Sequence, residues 1–131
     1  MSLDAAGRLG FQYRREKRPG NHMARAHLIV RSKLEKLADR QAFDDWYRLE
    51  RLRDAVKGFG ARRGWTSWSR TNPLVHFAVY EFTTTEEAEA ALDSLAFVGL
   101  VAEFDRVWGS RVTRTREVFE TAGEFTPSAE E

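Results

Sequence analysis

Eight side chains in this sequence are of types that could bind or transform a small molecule: His27, Arg31, Trp46, Tyr47, Arg51, Trp68, His76 and Tyr80. Histidine titrates near neutral pH, so His76 could take or give a proton, with the Tyr80 phenol as its partner. His27 and His76 fall on two segments that read as strands. As a pair they could bind an anion, act as acid and base, or ligate a metal. Arg31 and Arg51 stay protonated and could hold a carboxylate or phenolate oxyanion. Trp46, Tyr47 and Trp68 offer flat surfaces for an aromatic ligand, and Tyr47 adds a hydroxyl.

Each of these residues also has a plainer role. Trp46 and Tyr47 suit a helix face packed into a core or a dimer interface. The two histidines suit satisfied interior or interface positions, and no carboxylate stands at a diagnostic spacing from either. Arg51 could pair with Glu50 or Asp54. The series Arg111, Arg114, Arg116 reads as a solvated strand edge, where charge discourages further pairing. No HxH or HExxH spacing exists, so no metal site is expected. No Ser-His-Asp or Cys-His arrangement is legible, and Gly58-Phe59-Gly60 lacks the context of a phosphate loop.

The elements that must position these residues follow from periodicity. Ala26 to Ser32 alternates as a strand. From about Arg40, Phe43, Trp46, Tyr47, Leu49, Leu52, Ala55, Val56 and Phe59 recur at helical spacing. Asp39 is placed to cap that helix, and Gly58 and Gly60 mark its end. Trp65 to Ser69 and Val75 to Phe82 are strands joined through Thr71-Asn72-Pro73, a turn signal. Trp65 and Trp68 stand three apart, so only one of them can line a given face. Thr84-Thr85-Glu86-Glu87 fits a capping box that opens a second helix. Ser94 can cap a continuation through Phe97, Leu100, Phe104 and Trp108, where Asp105 and Arg106 fix the turn into a last strand, Arg111 to Phe119.

The order β-α-β-β-α-β is a split βαβ pattern, giving an α+β, ferredoxin-like fold with a four-stranded antiparallel sheet. Right-handed crossovers make the first and third strands central neighbours. The helices are expected to cover Leu28 and Val30 with Val75, Phe77 and Val79. The opposite face then collects His27, Ile29 and Arg31 with His76, Ala78, Tyr80 and Phe82. That second face is too apolar to stay in water and needs a partner.

At 131 residues and 42% hydrophobic composition the chain fits one domain with one core. The expected organisation is a flexible basic arm over residues 1–23, a domain over 24–122 and an acidic tail over 123–131. Met23-Ala24-Arg25 is a natural start for the domain. The absence of cysteine excludes disulfides and thiolate sites and suits a reducing cytoplasm. No apolar run reaches the length of a membrane span, and the basic N-terminal residues lack the apolar stretch of a secretory signal. The net charge of +1 describes no basic face over the body of the chain.

Phe43-Asp44-Asp45-Trp46-Tyr47, Arg51-Leu52, Gly58-Phe59 and Arg62-Arg63 resemble the first helix and following turn of dimeric α+β barrel proteins. The similarity is to EthD-like and antibiotic-monooxygenase-like groups. Glu103 to Gly109 and Arg111 to Glu117 resemble one branch of the same set whose reactions are largely unassigned. The resemblance spans about residues 26–120. It implies a homodimer whose two sheets face each other as a barrel, with a pocket in each subunit between sheet and helices. Members of these groups oxidise aromatic polyketides, degrade haem or act on lactone ring isomers, and many have no assigned reaction. Where such relatives often carry a His-Leu-Pro after the Trp-Tyr pair, this chain has Arg51-Leu52-Arg53. A mechanism built on a neutral imidazole there does not transfer to a guanidinium.

Three functions stay open on the sequence. The first is a homodimeric barrel that binds a small apolar or aromatic molecule, with scope for cofactor-independent oxidation or isomerisation and no cofactor expected. There His76 and Tyr80 would move protons, and His27, Arg31, Trp46, Tyr47, Arg51 and Trp68 would contact the ligand. The second is an interaction protein whose barrel is a dimerisation device. The third is an RRM-like RNA-binding module, suggested by the element order and by Phe77 to Phe82. The Lys/Arg-Gly that opens the RNP1 motif is absent, and the first strand has no stacking aromatic, so nucleic acid is disfavoured as a partner.

Overall fold

In the computed structural model of the chain, residues 25–128 are described, together with the backbone of a two-residue antiparallel ladder between Asp4–Ala5 and Gly7–Arg8. The rest of the expected basic arm lies outside the described residues. Four strands form one sheet: β1 (Ala26–Leu34), β2 (Arg63–Trp68), β3 (Val75–Phe82) and β4 (Val112–Glu120), in the order β2-β3-β1-β4 with every pair antiparallel. The β-α-β-β-α-β order and the central β1–β3 pair are therefore as the periodicity indicates. Residues 121–128 form no helix or strand, and Arg25 pairs with Glu124 at 2.8 Å.

The first helical segment changes character along its length. A 3₁₀ turn (Leu37–Asp39) leads into α1 (Arg40–Trp46), then five π-helical residues (Tyr47–Arg51), then α2 (Leu52–Phe59). Its buried positions are Phe43, Tyr47, Arg51 and Ala55, each four apart. Four residues overshoot one α-helical turn by about 40°. A stripe at strict fours would drift off the core in a pure α-helix. The wider π turn winds it back, so Tyr47 and Arg51 both point inward. Asp39 does not cap this helix through its side chain. Its carboxylate lies 3.7 Å from Arg111 instead, because the 3₁₀ turn moves the helix start past it. Gly60 ends the segment in the left-handed region at φ 71°, where a side chain would be strained.

The second helical region has the expected caps. Thr84 Oγ1 accepts from Glu87 N at the start of α3 (Thr85–Leu92), and Glu87 reaches back to Thr83 N. Ser94 Oγ accepts from Phe97 N and opens α4 (Leu95–Trp108). Both helical regions lie on one side of the sheet. Leu28, Val30, Leu34, Ala78, Tyr80 and Phe82 pack there against Phe43, Tyr47, Ala55, Ala88, Ala91, Phe104 and Trp108.

The register overturns one expectation. Leu28 is opposite Tyr80, Val30 opposite Ala78 and Ser32 opposite His76. Opposed residues of an antiparallel pair point to the same side. The helices therefore cover His76, Ala78, Tyr80 and Phe82, not Val75, Phe77 and Val79, which face the other way beside Ile29, Arg31 and Lys33. Both sets on β3 are apolar enough to be buried, so composition alone could not choose between them. Among the described residues no helix is long and apolar enough to cross a membrane.

Candidate functional site

One row of side chains crosses the helix-covered face of all four strands: Trp68, His76, Ser32 and Arg114. His76 is fully buried and sits in a cage of rings, with centroids 4.7 Å from Tyr47, 4.8 Å from Trp68 and 5.0 Å from Phe43. Neither of its nitrogens has a hydrogen-bond partner among the described residues. Burial lowers its pKa to about 4, against the pull of Asp44. The imidazole is therefore neutral at pH 7, with one nitrogen lone pair free to face a bound group. Asp44 is held ionised beside it. The Trp68 indole N–H donates to its carboxylate at 2.8 Å, and Arg48 donates at 3.0 Å. The indole bond is the main cause of its lowered pKa, partly offset by burial.

The π turn brings two more groups over this row. Tyr47 packs on His76, and Arg51, only 6% exposed, lies between aromatic rings with its guanidinium carbon 5.5 Å from Trp46 and 5.6 Å from Phe104. Arg51 Nη1 donates to the Leu100 carbonyl at 2.7 Å, with Glu103 at 3.9 Å, while its buried Nε has no partner among the described residues. Tyr80 stands one row further along the sheet from Ala78. Burial pushes its phenol well above the ordinary tyrosine range, and the Tyr47 hydroxyl adds to this. Tyr80 therefore stays a hydrogen-bond donor at any physiological pH.

Arg114 closes the row at the edge strand β4. Its guanidinium stacks 3.8 Å above Phe104 and pairs with Asp105 at 3.0 Å. Arg116 follows in the next row, beside Val30, with its guanidinium 5.0 Å from Phe97. Burial lowers the pKa of Arg114 first, and the Arg116 charge lowers it further. The expected solvated edge is thus corrected at one position: β4 is an edge and Arg111 and Arg116 are exposed, but Arg114 turns under α4, because its strand partner Ser32 faces the helices.

Six of the eight chemically suited residues meet on this side: Trp46, Tyr47, Arg51, Trp68, His76 and Tyr80. His27 and Arg31 do not. His27 is opposite Glu81 and Phe119, with Nε2 3.6 Å from Glu81, and its ring meets Trp65 edge-on at 6.1 Å. The expected shared face of His27 and His76 is therefore corrected, since one residue offset in register puts them on opposite sides. Trp65 and Trp68 split between the faces as their spacing requires. Arg51 pairs with neither Glu50 nor Asp54.

The sheet face away from the helices holds a shallow concavity of about 330 Å³ lined by Ile29, Arg31, Phe77, Val79 and Phe119 among others. At its end Glu81, 3% exposed, accepts from Arg63 at 2.9 Å and Arg62 at 3.1 Å. Burial would raise its pKa, but the two guanidinium groups outweigh that and lower it. Sequence reasoning missed Ser32, Asp44, Phe104, Trp108, Arg114 and Arg116 as members of this helix-covered side. The signal for the arginines was the set Val112, Arg114, Arg116, Val118, which starts and ends on a core residue type. Among the described residues no group of three His, Cys, Asp or Glu side chains could hold a metal ion.

No known family model matches the chain, and no curated protein does. Solved structures do. HapK from Hahella chejuensis is 18% identical, with a TM-score of 0.57 over 79% of this chain and 99% of its own. SnoaB from Streptomyces nogalater, a cofactor-independent oxygenase, is 13% identical, with a TM-score of 0.55 over 80% and 99%. An EthD family protein from Bacillus halodurans is 15% identical, with a TM-score of 0.56 over 74% and 99%. The chain therefore has the ferredoxin-like α+β fold shared by the EthD-like and monooxygenase-like proteins.

Proposed function

We propose that two copies of the chain close their open sheet faces into a barrel, and that each copy binds a small aromatic molecule between sheet and helices, where His76 serves as a base. The observation that carries the reading is His76 itself. It is buried and neutral, its nitrogens are unpartnered, and rings surround it. Buried polar groups are almost always satisfied, and a ligand atom is one partner that would satisfy this imidazole. Tyr80, and Tyr47 beside it, would donate to the oxyanion that forms when His76 removes a proton from carbon. Returning that proton to another carbon is an isomerisation. Transfer of one electron from the carbanion to dioxygen, followed by C–O bond formation between the two radicals, gives a peroxide anion that takes the proton back from His76. This is a cofactor-independent oxygenation, the kind of reaction for which SnoaB is named.

Ile29, Phe77 and Val79 on the open face support the dimer, since they form an apolar surface rimmed by Arg31, Glu81 and Glu117. The filled space around His76 favours a second reading, in which the barrel only dimerises. Native mass spectrometry of freshly purified protein separates the two. Dimers carrying a small molecule support the first reading, and dimers that stay empty and bind no aromatic probe support the second. Monomers refute the barrel in either form.

A further inference from the structure

We infer that the aromatic ligand of this site carries a permanent anionic group, a carboxylate in the simplest case, seated on Arg114 and Arg116 with Arg51 behind them. This deepens the proposed function and rests on its aromatic site. Three guanidinium groups converge under α4. Arg51 and Arg114 share the ring of Phe104, at 5.6 and 3.8 Å, and Arg116 lies over Phe97, about two helix turns away. Only two carboxylates answer them among the described residues. Asp105 meets Arg114 from an exposed position, and Glu103 stands 3.9 Å from Arg51. Arg116 has no ion-pair partner among the described residues. Among the described residues the cluster thus carries one positive charge in excess, and that charge is Arg116 at the solvent edge, where an anion can meet it.

A second observation points the same way. Arg51 is more than nine-tenths buried, and its Nε–H has no acceptor among the described residues. A guanidinium with a free N–H suits a planar carboxylate, which can take two parallel hydrogen bonds. The position also fits the access. β4 is the sheet edge, and Arg116 is its exposed member on this side, so an anion can arrive from solvent there. Arg114 and His76 belong to the same cross-sheet row, two strands apart, which is about 10 Å between backbones. A ligand of one or two rings spans from a carboxylate at the edge to an acidic C–H near His76. The ligand class is therefore an aromatic or hydroaromatic acid, not a neutral polycyclic.

The test compares 2-naphthoate with 2-naphthamide, which have the same shape and differ in charge, by quenching of tryptophan fluorescence in the full chain. Trp46, Trp68 and Trp108 all contact the site and report on it. Naphthoate is expected to bind roughly tenfold or more tightly than the amide, the worth of a hydrogen bond to a charged group. Its affinity should fall with added salt while that of the amide does not. Arg116→Gln, at an exposed position, should remove much of the preference and keep the fold, and Arg114→Lys should retain part of it. Equal affinity for the two probes in the unaltered protein overturns the anion rule and leaves the aromatic site standing. Binding of neither probe overturns the aromatic site and the anion rule together.

Discussion

Replacing His76 by leucine is expected to change how stability depends on pH. The folded state holds this imidazole at a pKa of about 4, while the unfolded chain has it near 6.5. Between those values the unfolded chain keeps a proton that the folded chain has lost, so stability rises with pH across that interval. At about 1.4 kcal/mol per unit, the whole shift corresponds to about 3 kcal/mol. That stability is fully present above pH 6.5, is reduced by about 2 kcal/mol at pH 5, and is lost by pH 4. For a domain whose total stability is on the order of 10 kcal/mol this is a large fraction. His76→Leu has similar volume and no ionisable group. It should match or exceed the unaltered protein at pH 7 by about 1 kcal/mol, because two unpartnered buried nitrogens disappear. Its advantage should then grow to about 3 kcal/mol at pH 5.

Urea unfolding at pH 7, 6 and 5 measures this directly. With a slope of about 1–3 kcal/mol per molar urea, the unaltered protein should lose about 1 M of midpoint more than His76→Leu between pH 7 and 5. The carboxylates common to both proteins cancel in the difference, apart from Asp44, whose own pKa is lowered in part by His76. Parallel pH curves for the two proteins would refute the buried neutral imidazole. So would a His76 ring resonance that titrates near 6.5 in the folded protein.

Three further outcomes follow from the packing. Thr84→Ala removes the side-chain acceptor for Glu87 N and should cost about 1 kcal/mol in urea unfolding, with the fold kept. Gly64→Ala would place a Cβ 2.8 Å from Val56 Cγ2, 3.1 Å from Tyr80 Cδ1 and 3.2 Å from the Val79 carbonyl, so the strand or its neighbours must give way; a loss of about 1–3 kcal/mol is expected, read by thermal melting. Phe77→Glu puts a charge in the middle of the open sheet face and should turn the proposed dimer into folded monomers, read by light scattering and circular dichroism.

Much of the architecture could be read from the chain because each element carried its own local signal. Thr84 with Glu87 and Ser94 gave helix starts, Thr71-Asn72-Pro73 gave the hairpin, and the apolar β1 and β3 gave the sheet centre. The site was only half legible, for two physical reasons. The first is register. Val75, Phe77 and Val79 are as apolar as Ala78, Tyr80 and Phe82, so the choice of face depends on partners that periodicity does not supply. The second is the helix. The spacing of Phe43, Tyr47, Arg51 and Ala55 fits a core stripe only after a π turn, and a reading at 3.6 residues per turn leaves Arg51 off the core. Arg114 and Arg116 were hidden by their own chemistry. A charged series on an edge strand looks solvated until its strand neighbours, Ser32 and Val30, are known to face the helices.

The concentration of unsettled polar groups argues that this region serves binding. Ser32 Oγ, both His76 nitrogens, Arg51 Nε and Trp108 Nε1 are all buried without partners among the described residues, and all belong to the layer between β1, β3 and the helices. A chain selected only to fold would fill that layer with aliphatic side chains, since a buried ion can often be replaced by them with no loss of stability. Local rules broken together in one place are what the proposed ligand site would require. The open face of the sheet shows the contrast. Its one buried carboxylate among the described residues, Glu81, is answered by Arg62 and Arg63 together. On the helix side the arithmetic runs the other way: Arg51, Arg114 and Arg116 outnumber Asp105 and Glu103, and the neutral His76 adds no charge of its own. An acid bound at the β4 edge would settle that excess and present its ring to the cage of Tyr47, Phe43 and Trp68 in the same step.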